Sequence, residues 1–156
     1  MAPSLPVQPV LALSSLEELI EQSLALSLPV RLVGSSLGGF YAIYLAERYD
    51  LSAVLINPAI HPCMTLEQGV GQVSHYHDQM RYEWRADHVQ SLKNYAVGVP
   101  TPHRYWLMLQ TGDELLDYQE ALAYLPGARV LLEEGGDHGF KGFERHLAEV
   151  LSFQPF

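Results

Sequence analysis

The chain has 156 residues and is acidic, with 18 Asp and Glu against 9 Lys and Arg and a formal net charge of −9. That length suits a single domain with a sizeable core, and 48% hydrophobic with 17% charged residues excludes a disordered chain. The negative balance offers no basic patch to neutralise phosphates, which argues against nucleic acid and against an anionic membrane surface as partners.

Cys63 is the only cysteine, so no intrachain disulfide forms, which fits a reducing, cytoplasmic setting. Cys63 reads as a small hydrophobe near a loop. The first residues carry no Lys or Arg, and Pro3, Pro6 and Pro9 break up any apolar run, so no secretory signal is predicted. No stretch reaches the length of a membrane span.

Taken in order, Met1 to Pro9 is proline-punctuated and predicts irregular chain. Ser15 with Glu18 has the spacing of a capping box and predicts a helix start, with Leu16, Leu19, Ile20 and Leu24 on its apolar face and Pro29 as its stop. Val30–Val33, apolar apart from Arg31, predicts a strand buried on both faces. Gly38–Tyr49 predicts a helix in which Gly39 and Ala42 allow close packing. Ala53–Ile56 predicts a second buried strand that ends at Asn57-Pro58. Periodicity then collapses from His61 to about Tyr95, which predicts an excursion, residues 61–95, covering the site, with short helices including one near Arg85–Asn94. Tyr105–Leu109 predicts a third strand, Tyr118–Tyr124 a helix, Arg129–Leu132 a fourth strand and Phe143–Phe153 a closing helix. Strands alternating with helices predict one α/β domain over residues 1–156, with a mostly parallel sheet and helices on both faces.

The stretch that carries chemistry is Gly34-Ser35-Ser36-Leu37-Gly38, a Gly-x-Ser-x-Gly motif between a predicted strand and a predicted helix. A serine on such a sharp turn has a strained backbone and an exposed oxygen. Side chains two residues to either side of it would collide, which predicts that both Gly34 and Gly38 are required. The N–H of Leu37, at the helix start, is placed to stabilise an oxyanion.

In a parallel sheet, catalytic groups gather at the carboxyl ends of the strands. Ser36, Asp113 and His138 each follow a predicted strand beside glycine, in the chain order of the α/β-hydrolase triad. Ser36 is the candidate nucleophile, His138 the base and Asp113 the group that orients the imidazole. Other readings stand beside these. His138 is then an idle loop histidine, or Asp113 is a helix N-cap with Asp117 or Glu114 as the acid. Asp137 reads as a turn residue. His75 and His77, near Asp78 and His88, have a spacing found in metal sites, but no predictable element aims them. The blander reading is a polar, aromatic cover, and no metal is predicted. His61, His103 and His146 carry no signal of their own.

The stretches Val33–Ala42, Asn57-Pro58-Ala59, Gln110–Tyr118 and Glu134–Phe140 resemble the YqiA-type esterases, a small bacterial α/β-hydrolase family, and the likeness runs from about Leu28 onward. The resemblance implies an α/β-hydrolase-like three-layer sandwich. It also implies a serine ester hydrolase that acts on short acyl esters through a Ser36–Asp113–His138 triad and an acyl-enzyme intermediate, without metal or organic cofactor. The implied partner is a small-molecule ester.

Members of that family begin with a strand whose His-Gly-Phe-type turn supplies a second oxyanion donor. Here the only His-Gly is His138-Gly139, and Met1 falls roughly where the family's second strand ends, so the fold is expected to be N-terminally incomplete. The strand before Ser36 would then form a sheet edge. That edge would be covered by residues Val7–Leu13, paired with a second copy in a homo-oligomer, or left to aggregate. The alternative function is a non-catalytic or weakly active hydrolase-like binding protein that lacks this donor.

Overall fold

The structure, a computed structural model, describes residues 1–67, 71–74 and 81–154. In chain order its elements are α1 (Pro9–Ala25), β1 (Leu32–Ser36), α2 (Leu37–Tyr49), β2 (Ala53–Pro58), α3 (Pro62–Glu67), β3 (Gly71–Ser74), β4 (Arg81–Trp84), α4 (Ala86–Leu92), β5 (Tyr105–Gln110), α5 (Tyr118–Tyr124), β6 (Arg129–Glu133) and α6 (Leu147–Ser152). The chain divides into two compact units, residues 1–30 with 61–96 and residues 31–60 with 97–156.

The first unit holds α1, α3, α4 and an antiparallel hairpin of β3 and β4, in which Gly71 lies opposite Trp84 and Ser74 opposite Arg81. The helix expected to start at Ser15 starts six residues earlier, at Pro9. Proline suits a first helical position, where its missing N–H has no partner to lose. Ser15 therefore lies inside α1, and its hydroxyl donates to the carbonyl of Leu11 at 2.9 Å instead of capping. The same helix takes up most of Val7–Leu13, so that segment is helical. The helix expected near Arg85–Asn94 is α4 followed by a tight turn at Lys93–Tyr95. His75, His77 and Asp78 lie outside the described residues.

The second unit is a four-stranded parallel sheet in the order β1-β2-β5-β6. Each new strand is added on the same side of the last. Right-handed crossovers moving one way place their helices on one face. Accordingly α2 and α5 share a face, where Ala42, Ile43, Ala46, Ala121 and Leu125 pack on Leu55, Tyr105, Leu107 and Leu109. The alternate residues of the strands, Val54, Ile56, Trp106 and Met108, face the other way and pack against Phe140, Val150 and Phe153 around α6. The continuous apolar runs of β2 and β5 follow from this arrangement, since every residue of both strands is buried.

β1 runs from Leu32 to Ser36 and stands at one end of the strand order, the edge position expected for the strand before Ser36. It leaves Val33 52% exposed, so the expected burial on both faces is not found. Arg31 interrupts the apolar stretch Val30–Val33, and β1 itself alternates between exposed Val33 and Ser35 and the less exposed Leu32, Gly34 and Ser36.

A polar tether holds α2 to the entry of β5. The Glu47 carboxylate accepts hydrogen bonds from the Thr101 N–H at 2.7 Å, the Thr101 hydroxyl at 2.9 Å and the Tyr105 hydroxyl at 2.5 Å, with Arg104 at 4.0 Å. Burial pushes this carboxyl up, but the hydrogen bonds from Tyr105 and Thr101, with the charge of Arg104, outweigh it and hold it below the ordinary glutamate value. The same burial, reinforced by the Glu47 charge, pushes the Tyr105 phenol well up. A depressed carboxyl contributes stability above its unfolded value, and that contribution is lost as pH falls through the folded value. Glu47→Gln should therefore cost about 1–2 kcal/mol at neutral pH, and the gap from wild type should close as the medium is acidified below the ordinary glutamate range. Urea unfolding of both proteins along an acid series measures this.

Candidate active site

Ser36 closes β1 and immediately precedes α2, with φ 53° and ψ −124°. A non-glycine residue reaches this region only when its surroundings hold it there. Part of the restraint is a close approach between the two arms of the turn. A Cβ on Gly34 would lie 2.2 Å from the carbonyl oxygen of Gly38. The expected requirement at Gly38 is not found, since a Cβ there meets nothing within 4 Å. The second tight position is Gly39, where a Cβ would lie 2.5 Å from the Pro58 Cβ. Spacing alone does not reveal which glycine faces backbone. Leu37 is the first residue of α2, so its N–H has no intrahelical acceptor and lies at the positive end of a 13-residue helix.

Three acidic residues follow β5, and the structure gives each a different task. Asp113 turns inward, its side chain 3% exposed, with Oδ1 3.0 Å and Oδ2 2.9 Å from His138 Nδ1. Its Oδ1 also accepts the N–H groups of Leu115 and Leu116 at 2.9 and 3.0 Å, which fixes the carboxylate plane. Asp117 caps α5 by accepting the N–H of Gln119 at 2.9 Å. Glu114 accepts the backbone N–H of His138 at 3.0 Å. This anchoring by Glu114 had no signal in the sequence, because a run of carboxylates after a strand has no periodicity to tell which one turns inward.

His138 follows β6, and its Nε2 lies 2.9 Å from Ser36 Oγ. With Asp113 at Nδ1, the tautomer that donates to the carboxylate leaves the Nε2 lone pair facing the hydroxyl, which then donates to it. The loops after β5 and β6 meet directly. Gly112 donates its N–H to the Gly135 carbonyl at 2.8 Å, and a Cβ on Gly112 would strike the Gly136 carbonyl oxygen at 2.7 Å. The structure thus brings together all three of the residues Ser36, Asp113 and His138. Of the groups weighed for a metal, His88 Nδ1 accepts the Arg85 N–H at 3.4 Å, and among the described residues no three His, Cys, Asp or Glu side chains converge.

Solved structures share this architecture. Est1E from Butyrivibrio proteoclasticus, with ferulic acid bound, superposes with a TM-score of 0.68 at 13% identity, over 91% of this chain and 65% of its own. The esterase domain of a Rhodothermus marinus protein gives 0.66 at 18% identity, over 89% and 66%. An alpha/beta superfamily hydrolase from Oenococcus oeni PSU-1 gives 0.63 at 16%, over 97% and 78%. The fold is that of the α/β-hydrolases. Within that class, the chain belongs to the family described as "Uncharacterised protein family (UPF0227)", which matches residues 1–155. A UPF0227 protein of Shewanella sp. (strain ANA-3) is 29% identical over 127 residues, 79% of this chain, and the chain spans 64% of that relative's length. Among the described residues no helix is long and apolar enough to cross a membrane.

The elbow geometry separates its glycines by experiment. Gly34→Ala should destabilise the protein by about 1–3 kcal/mol, because the added carbon overlaps backbone that cannot swing aside. Gly38→Ala should be neutral or stabilising by up to about 1 kcal/mol, since the residue is helical and the space beside it is open. Thermal unfolding of the two variants tests this.

Proposed function

We propose that this chain is a serine ester hydrolase acting on short acyl esters. The observation that carries the reading is the continuous line of hydrogen-bond distances from Asp113 through His138 to Ser36, 2.9 Å at each link, at a backbone-strained serine. A base within hydrogen-bond reach of the hydroxyl, itself oriented by a buried carboxylate, is what nucleophile activation requires. In the proposed reaction Ser36 Oγ attacks the ester carbonyl while His138 Nε2 takes its proton. Negative charge then develops on the carbonyl oxygen, and the Leu37 N–H donates to it. The tetrahedral adduct collapses as His138 returns the proton to the departing alcohol, which leaves an acyl group on Ser36. Water, deprotonated in turn by His138, releases the carboxylic acid and restores the hydroxyl. No step calls on a metal or organic cofactor.

Similarity to Est1E and to the Rhodothermus marinus esterase domain supports ester chemistry within the α/β-hydrolases. The reading extends to a reducing, cytoplasmic compartment, with homo-oligomer formation through the β1 edge as its quaternary counterpart. A non-catalytic or weakly active binding protein is the alternative. It rests on the Leu37 N–H being the one oxyanion donor that this reading assigns among the described residues.

Intact mass after fluorophosphonate treatment reports whether Ser36 is activated, and p-nitrophenyl acetate hydrolysis reports whether the whole site works. The wild-type chain should do both, and Ser36→Ala neither. Asp113→Asn should lose about 10⁴ in rate through the wrong tautomer. Asp117→Asn should keep its rate and forfeit only about 1 kcal/mol or less of helix-cap stability. Labelling without turnover favours the alternative. Absence of both overturns the esterase reading.

A further inference from the structure

Two buried amides, Asn57 and Gln110, stand at the carboxyl ends of β2 and β5, each 2% exposed. Asn57 sits at an irregularity of the sheet. Ser35 pairs with Ile56 and Ser36 with Pro58, so Asn57 is an extra residue in β2 with no partner in β1. A bulge of this kind redirects one side chain out of the strand's alternation. The backbone there has φ 39°. Asparagine tolerates the left-handed region better than most residues, but a residue before proline is normally driven to extended conformations. The position is therefore strained, and its hydrogen bonds show what the strain secures.

Asn57 Nδ2 donates to the carbonyl of Asp137 at 3.0 Å and to the carbonyl of His138 at 3.1 Å. Its Oδ1 accepts the backbone N–H of Gln110 at 3.0 Å. Gln110 completes the hold, since its Oε1 accepts the N–H groups of Asp137 at 3.1 Å and Lys141 at 2.9 Å. With Glu114 on the His138 N–H, the peptide groups on both sides of the histidine are tied to protein. The same short turn also grips the nucleophile. The N–H of Ala59 donates to the Ser36 carbonyl at 3.0 Å, and Pro58 packs where Gly39 leaves no room for a side chain.

We propose that Asn57 is a positioning residue for His138. The turn Asn57-Pro58-Ala59 holds the backbone of the nucleophile with its own peptide and the backbone of the base with the Asn57 side-chain amide, and so sets the distance between Ser36 Oγ and His138 Nε2. The inference rests on the serine-hydrolase reading and names the device that gives that site its registry. The chemistry requires an amide. An aspartate of the same shape would keep the acceptor for Gln110 but set a carboxylate against two carbonyl oxygens.

Two variants test it. Asn57→Asp preserves shape and reverses the interaction with the histidine loop. Asn57→Gly accepts φ 39° without strain and simply removes the clamp. For both, kcat for p-nitrophenyl acetate and the rate of fluorophosphonate labelling should fall about 10²-fold, as expected for a reacting group misplaced by a fraction of an ångström to an ångström. KM should stay within about twofold of wild type. The low-field proton resonance of His138 Nδ1–H bound to Asp113 should shift or vanish. Wild-type labelling rates with an unmoved resonance would overturn the proposal. So would loss of folding in both variants, since Asn57 would then be a residue of the fold and not of the site. The resonance needs no turnover. If the wild-type chain is inert to ester and to fluorophosphonate, the esterase reading fails by itself, and the resonance still decides whether Asn57 positions the imidazole.

Discussion

The backbone of Ser36 is the constraint on which the second unit depends. A residue at φ 53° and ψ −124° relaxes unless its neighbours forbid it. Here Gly34 lies against the Gly38 carbonyl, Gly39 lies against Pro58, and the Ala59 N–H holds the Ser36 carbonyl. The last two of these contacts need β1 and β2 to be side by side in their observed register, and the register itself slips by one residue at the elbow. The sheet is thus more than a platform for the serine. Its irregularity at Asn57 and the strain at Ser36 are two sides of one local geometry.

Topology converts that local geometry into a site. Four parallel strands added in one direction present all their carboxyl ends along the same rim. The loops that leave this rim after β5 and β6 are adjacent because β5 and β6 are adjacent, and their contact at Gly112 and Gly135 brings Asp113 to His138. Residues 102 positions apart in sequence, Ser36 and His138, come within hydrogen-bond distance with no interdomain arrangement required, since both belong to the same compact unit.

What was legible in the sequence follows from how directly each feature is coupled to burial. β2, β5 and α5 were readable because unbroken apolar runs and a helix-closing Pro-Gly pair report burial and chain reversal without help from elsewhere. Val30–Val33 reads as buried on both faces, although Arg31 within it, like the edge position expected for this strand, points to the exposure found. α1 starts earlier than its sequence signals suggest because Ser15 and Glu18 copy a cap at helical spacing, while Pro9, six residues earlier, satisfies the terminus by having no N–H. The hairpin of β3 and β4 and the helix α3 were too short for a period to emerge. At the site, the order Ser36, Asp113, His138 could be read from strand ends and glycines. Asp113 is favoured over Glu114 and Asp117 by coming first after the strand, but the backbone tasks of the other two have no signal, since they depend on which N–H groups lie within reach. Asn57 stood out only as part of a motif, because a side-chain amide announces nothing about its partners.

Placing His138 on a loop creates a problem that buried amides are suited to solve. A loop over water exchanges its hydrogen bonds freely and holds its side chains loosely. Asn57 and Gln110 replace that exchangeable shell with donors and acceptors fixed at strand ends, in a setting where each bond is stronger and each loss is uncompensated. Removing one such partner costs stability of about 1–3 kcal/mol, an amount a domain of this size can absorb. On the proposed positioning role, the same change alters the distance from imidazole to hydroxyl, to which an esterase's rate would respond far more steeply than stability does. The precision of the Ser36–His138 contact is therefore more fragile than the fold that carries it. Two nearly inaccessible polar side chains beneath an exposed loop are consistent with a structure organised to protect that distance.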